Sequence, residues 1–157
     1  MKATHWIIAA AALTFVQPTL ASAGVNDPEV IIYRFPGVRD DGGTAGIGVA
    51  TVFHCTNFSG VSETLGFVTR IFSSGLRTNK TIVIGHLETL TAVTHPVFAY
   101  QLDLDLATTA VTQGTTAIAA TSTNIICTAM TIDAANAKPT GVALRGIRFS
   151  PVPGSQE

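Results

Sequence analysis

Val52-Phe53-His54-Cys55-Thr56 and Ile125-Ile126-Cys127-Thr128-Ala129 are the stretches whose reading decides the fold. Both are short runs of β-branched and aromatic residues with a cysteine inside, the composition that fits a pleated, half-buried surface. Working outward, similar runs recur about every ten residues, separated by Gly, Asn, Asp, Ser and Pro clusters. Val30 to Phe35 reads as a first strand closed by Pro36-Gly37, and Gly46 to Thr56 as a long second one ending at Asn57-Phe58-Ser59-Gly60. Thr64 to Phe72 follows, leaving through Ser73-Ser74-Gly75, then Lys80 to Ile84 and Leu87 to Val93 around Gly85-His86.

Strict alternation in Gln101-Leu102-Asp103-Leu104-Asp105-Leu106 predicts a strand with its leucines inward and its carboxylates outward. Gln113-Gly114 is expected to begin a turn, and Thr116 to Ala120, Asn124 to Ile132 and Val142 to Phe149 are the remaining strands. Alanines between Ala107 and Ala120 admit a helix, but Gly114 and the threonine run argue against it. The spacing predicts a meander.

The first twenty-three residues read as an export signal. Lys2 is the basic start, Ile7 to Val16 an apolar run too short to span a bilayer, and Ala21-Ser22-Ala23 a small-x-small cleavage site. The expected mature chain starts at Gly24 and forms one domain over 24–157, about 134 residues, large enough for its own core. Its tail from Ser150 to Glu157 is expected to fray.

Hydrophobic residues make up 46% of the chain and charged ones only 12%, so threonines and amides must supply much of the polar surface. The formal net charge is −1. No basic stripe is present to neutralise phosphates, which excludes nucleic acid as an expected partner. No apolar segment beyond the leader approaches the length of a membrane helix.

The cysteine count is two, Cys55 and Cys127. Export permits a disulfide between them, closing a loop of about seventy residues; two separate buried thiols are the competing reading. A cysteine in an early strand joined across a core to one in a late strand is the pattern of an immunoglobulin sandwich. That family's core tryptophan is missing, since the only tryptophan, Trp6, lies in the leader. Strand number and spacing therefore predict an all-β, two-sheet antiparallel sandwich, with immunoglobulin-like topology first and a jelly-roll or closed barrel behind it.

Cys55-Thr56-Asn57-Phe58-Ser59-Gly60, Gly114 to Ser122, and Ile126-Cys127-Thr128-Ala129-Met130-Thr131-Ile132-Asp133 together resemble a pattern found in uncharacterised small exported bacterial β-sandwich proteins. The resemblance covers most of the mature chain and implies a periplasmic or secreted sandwich. It carries no catalytic residues.

Residues that could carry chemistry are scattered. His54, His86 and His95 show no His-x-x-x-His spacing, and His54, next to Cys55, points to the opposite strand face. A hydrolase would need His86 or His95 within reach of a serine and a carboxylate, but no nucleophile elbow exists, and Ser59 and Ser74 lie in turn contexts. Asp40-Asp41 with Asp103 and Asp105 have the ligand type calcium takes but not the loop spacing, and Gly42-Gly43 is followed by no Lys-Ser/Thr pair. Asn57-Phe58-Ser59 and Asn79-Lys80-Thr81 fit the glycosylation acceptor pattern and mark expected exposed turns.

No catalytic, cofactor or metal residue is assigned from the sequence. The expected function is a non-enzymatic, exported protein acting through surface contacts with an unknown protein or glycan partner, or with itself. A carbohydrate- or small-ligand-binding module is the alternative, and a secreted hydrolase a more distant one. Exposed Tyr and Phe at one loop end would favour ligand binding, and an unpaired apolar edge strand would favour assembly.

Overall fold

A computed structural model of the protein describes residues 29–149. The expected signal peptide, the start at Gly24 and the tail Ser150 to Glu157 lie outside the described residues. The described residues form ten strands: β1 (Val30–Asp40), β2 (Val49–Asn57), β3 (Glu63–Ile71), β4 (Leu76–Ile84), β5 (Thr89–Val93), β6 (Leu104–Asp105), β7 (Val111–Ala120), β8 (Ile125–Asp133), β9 (Gly141–Leu144) and β10 (Ile147–Arg148). They form two five-stranded sheets, ordered β10-β1-β7-β3-β4 and β6-β5-β2-β8-β9, packed as a sandwich. All pairings are antiparallel except β5 with β6.

The chain does not follow the expected meander throughout: β3 and β4, β5 and β6, and β8 and β9 are sequential neighbours, but β1 lies beside β7 and β2 beside β8 through crossovers. Non-polar side chains alternate inward along the central strands, as their period-two pattern requires. Phe53 of β2 is wedged between two rings of the opposing sheet, Phe35 at 5.7 Å and Phe67 at 6.0 Å between centroids. All three are fully buried, and each contributes about 1.5–3 kcal/mol of transfer free energy.

A second, smaller cluster occupies the outer face of the second sheet. The segment 94–103 folds back over Ala50, Val52, Val93 and Ile132, laying Val97, Ala99, Tyr100 and Leu102 on them. Tyr100 meets His54 edge-on at 4.6 Å and donates its hydroxyl to Met130 Sδ at 3.4 Å.

The expected disulfide Cys55–Cys127 is present. It does not cross the core from sheet to sheet. The two residues are paired opposite one another in adjacent strands of one sheet.

Several strand boundaries differ from expectation for identifiable reasons. Pro36-Gly37 does not close β1, because β10 pairs only with Tyr33 and Arg34; Pro36 is therefore at an edge, and Gly37, at φ +83°, takes the bulge that follows. Gly46 and Gly48 have φ near +70° and +76° and form a turn, so β2 begins at Val49. Gln113-Gly114 lies inside β7. A Cβ at Gly114 would stand 3.0 Å from the Arg70 carbonyl oxygen and 3.3 Å from that of Val38, so the glycine marks a close approach of three strands and not a turn.

The expected strand from Val142 to Phe149 breaks at Arg145-Gly146 into β9 and β10, which belong to different sheets. The chain crosses over against the Phe35 ring, 2.4 Å from where a Gly146 Cβ would be. Along Gln101 to Leu106 only β6 pairs as a strand, because Asp105 Oδ1 accepts the Ala107 N–H at 2.8 Å and turns the chain. Leu106 is fully buried in the main core and Leu104 packs against it as expected, whereas Leu102 packs on the second cluster at the outer face of the sheet.

Candidate functional site

A cluster of buried, chemistry-bearing side chains at one loop end is built on Asp40, His95 and Thr108. Asp40 ends β1, two residues beyond the inward-facing Val38, so the strand's alternation carries its carboxylate inside. Thr94 and Thr51 hold the end of β5 to β2 through backbone and hydroxyl bonds, which places His95 over Asp40. His95 Nδ1 lies 2.9 Å from Asp40 Oδ2, and its Nε2 lies 3.0 Å from the Ile47 carbonyl oxygen. Asp40 Oδ1 accepts the Gly42 N–H at 2.6 Å, and Oδ2 also accepts the Thr108 hydroxyl at 3.3 Å.

Both ring nitrogens face oxygen atoms, and the Asp40 carboxylate is met by three partners, His95, Gly42 and Thr108. Asp40 is 1% exposed and His95 6%. Ala107 and Thr109, on either side of Thr108, have φ of +50° and +57°, a conformation costly for a β-branched residue and held here by the surrounding bonds. A cavity of about 260 Å³ opens beside the cluster, lined by Gly42, Gly43, Pro96 and Asp105 among others.

This is the geometry of a clasp. A hydrolytic relay needs a hydroxyl on the imidazole, whereas here Thr108 bonds the carboxylate and the second ring nitrogen is held by a carbonyl. The clasp ties the end of β1, the 41–48 loop, the start of the 94–103 segment and the 105–109 loop into one unit. On its outer surface Ile47 and Phe98 stand 58% and 63% exposed. Phe98 rests on Gly46, where a Cβ would fall 2.3 Å from its ring.

The other residues considered from sequence stand apart from this site. His86 Nδ1 accepts the Gly60 N–H at 3.1 Å in an exposed turn. His54 is half-buried on the second sheet, 3.2 Å from Thr91 Oγ1, and burial lowers its pKa. Asp103 Oδ2 accepts the Thr91 N–H, and Asp41 pairs with Arg39 at 3.5 Å on the surface. Ser59 bonds within its own turn. Among the described residues no three His, Cys, Asp or Glu converge as a metal-holding group.

Asn57 corrects the expectation of an exposed acceptor turn. It is fully buried, and its amide donates to the carbonyls of Val61 and Ile84 at 2.7 and 3.1 Å. Asn79, by contrast, is exposed on β4.

Two features were not read from the sequence. The Asp40–His95 pair joins residues 55 positions apart; its only local signal was the alternation continuing through Val38 to Asp40 past Pro36. Glu63 is fully buried, with one oxygen accepting the Thr121 hydroxyl and Oε1 without a hydrogen-bond partner. Nothing in its sequence neighbourhood distinguishes it from a solvated strand start.

Compared with known proteins, the chain matches no protein-family model, no curated protein and no solved structure.

Proposed function

We propose that this chain is an exported, non-enzymatic β-sandwich protein that acts through surface contacts, in a periplasmic or secreted interaction or structural role. The leader over 1–23 and the resemblance to small exported bacterial sandwiches motivate the compartment. The disulfide supports it, since such bonds persist in oxidising environments.

Immunoglobulin-like topology is the finer reading of the fold. The inner order β1-β7-β3 against β2-β8-β9 parallels the B-E-D and C-F-G arrangement of that sandwich, with β10 where strand A would lie. Its disulfide differs in joining two strands of one sheet.

The observation that carries the functional reading is the exposed Ile47–Phe98 pair above the Asp40–His95 clasp. Large apolar side chains at a loop tip ordinarily fold inward or move freely; here buried polar bonds and a missing Cβ hold two of them outward. Strand addition is a poorer route. The longest edge, β4, points Lys80 inward to the Asp105 carbonyl at 2.6 Å, and adding a strand there would bury that ammonium. Nor do the exposed aromatics form one cluster: Phe58 lies at the Asn57 end of the sandwich, and Phe72 and Phe98 at the other.

Photo-cross-linking in the producing cell tests this. A cross-linker at position 98 should yield one defined product, either a partner or a second copy, that Ile47→Ser abolishes and that a cross-linker at position 142 does not give. Equal labelling from both positions, or none, would reject the loop end as a contact surface.

A further inference from the structure

The outer face of the first sheet carries a trough along its central strand. Outward positions on β7 are small, Thr115, Ala117 and Ala119, while the flanking strands raise Ile31 and Arg34 on β1 and Val68 and Arg70 on β3. The resulting depression holds about 190 Å³. Through Arg70 and Thr115 it continues into a second one of about 340 Å³, bounded by Phe72 and Gln113. Beyond the Ala119 end Glu29 covers Gly66.

The trough is cationic. Neither Arg34 nor Arg70 is in an ion pair among the described residues. Arg34 lies over the Phe149 ring at 5.8 Å, and Arg70 donates to the Ser74 carbonyl at 2.9 Å, contacts that orient each guanidinium without neutralising it. Phe72, 75% exposed, stands beside Arg70.

We infer that this trough binds an anionic saccharide, its carboxylate or sulfate groups held by Arg34 and Arg70 and a sugar face lying on Phe72. The guanidinium fork suits both oxyanions through paired hydrogen bonds. The occupant is a glycan and not an acidic peptide because β7 is hydrogen-bonded on both sides, to β1 and β3. Its backbone has nothing to offer an extended peptide, whose own N–H and C=O groups would lie unpaired over an alanine floor. A saccharide puts its C–H faces on that floor and on the ring and keeps its hydroxyls in water. Phe72 lies at the same end of the sandwich as Ile47 and Phe98, but the trough shares no lining residue with that pair, and neither inference rests on the other.

The test is calorimetric titration of the full chain at low salt with oligogalacturonate, dextran sulfate, neutral dextran and poly-glutamate. One or both anionic glycans should bind, the one that does identifying the oxyanion, while neutral dextran does not. Arg34→Gln and Arg70→Gln should each weaken binding roughly tenfold, and added salt should weaken it further. Ala119→Glu, which sets a like charge on the floor without removing an arginine contact, should abolish it, and Lys138→Gln should leave it unchanged. Failure of both anionic glycans to bind, an unaltered affinity in the Arg34→Gln/Arg70→Gln protein, or tighter binding of poly-glutamate overturns the inference.

Discussion

Cys55 and Cys127 face one another across β2 and β8 with their Cα atoms 4.1 Å apart, bonded between neighbouring strands of one sheet although 72 positions separate them in sequence. That spacing belongs to a close, non-hydrogen-bonded antiparallel pair. The strands are also held by their ladder and by the core beneath, so the bond acts chiefly on the unfolded chain. Replacing both cysteines by alanine should lower the unfolding free energy by about 4 kcal/mol, as loop closure over such a length implies. Urea unfolding of the two proteins checks this, and native circular dichroism should be unchanged.

His54 should make stability depend on pH. Burial lowers its pKa below the ordinary 6.5, so the folded protein keeps the ring neutral where the unfolded chain would protonate it. The unfolded state then binds more protons, and stability rises with pH through that interval. The contribution is whole above about pH 6.5, is lost as pH falls toward the folded value, and changes no further below it. His54→Gln should flatten this part of the curve of urea midpoint against pH. An unchanged slope would assign the dependence elsewhere.

Asp40 separates charge from hydrogen bonding in the clasp. Asp40→Asn can keep all three contacts: its oxygen accepts the Gly42 N–H, and its amide's two hydrogens go to His95 Nδ1 and to the Thr108 hydroxyl oxygen, which accepts in place of donating. That change should cost about 1 kcal/mol or less. Asp40→Leu strips the His95, Gly42 and Thr108 donors of their acceptor and should cost about 3 kcal/mol or more. Equal losses in the two variants, measured by chemical denaturation, would mean the network is held by charge alone.

Gly114 and Gly66 should respond differently to alanine. At Gly114 the added methyl meets the Val111 side chain at 2.5 Å and backbone oxygens on both sides, none of which can withdraw; a loss of about 1–3 kcal/mol is expected. At Gly66 it meets the carboxylate end of Glu29 at 2.6 Å, a side chain free to swing away. Gly66→Ala should therefore be close to neutral. Thermal unfolding of both variants decides whether backbone or side-chain contact sets the cost.

Much of the architecture was legible because period-two alternation is a local property. Thr64 to Phe72 and Asn124 to Ile132 anticipate β3 and β8 to within a residue or so, and Cys55 and Cys127 pair as expected. The errors fell where a glycine or proline has two local meanings. Gly114 inside β7 and Gly46 in a turn are the same residue type; only the strands that approach Gly114 from either side distinguish them. Asp40 was legible only as a calcium-type carboxylate beside Asp41, because its partner, His95, is remote in sequence.

By itself, the order of residues determined strand composition, the inward and outward faces and the presence of two cysteines in two strong strands, since each follows from side-chain shape and spacing within a few residues. Tertiary structure alone decided that the disulfide lies within a sheet, that Asp40 and His95 meet, that Val142 to Phe149 divides between two sheets, and that Arg34 and Arg70 flank one trough. All four depend on which distant strands become neighbours. That choice is made by the packing of the whole core around Phe35, Phe53 and Phe67, and no local pattern encodes it.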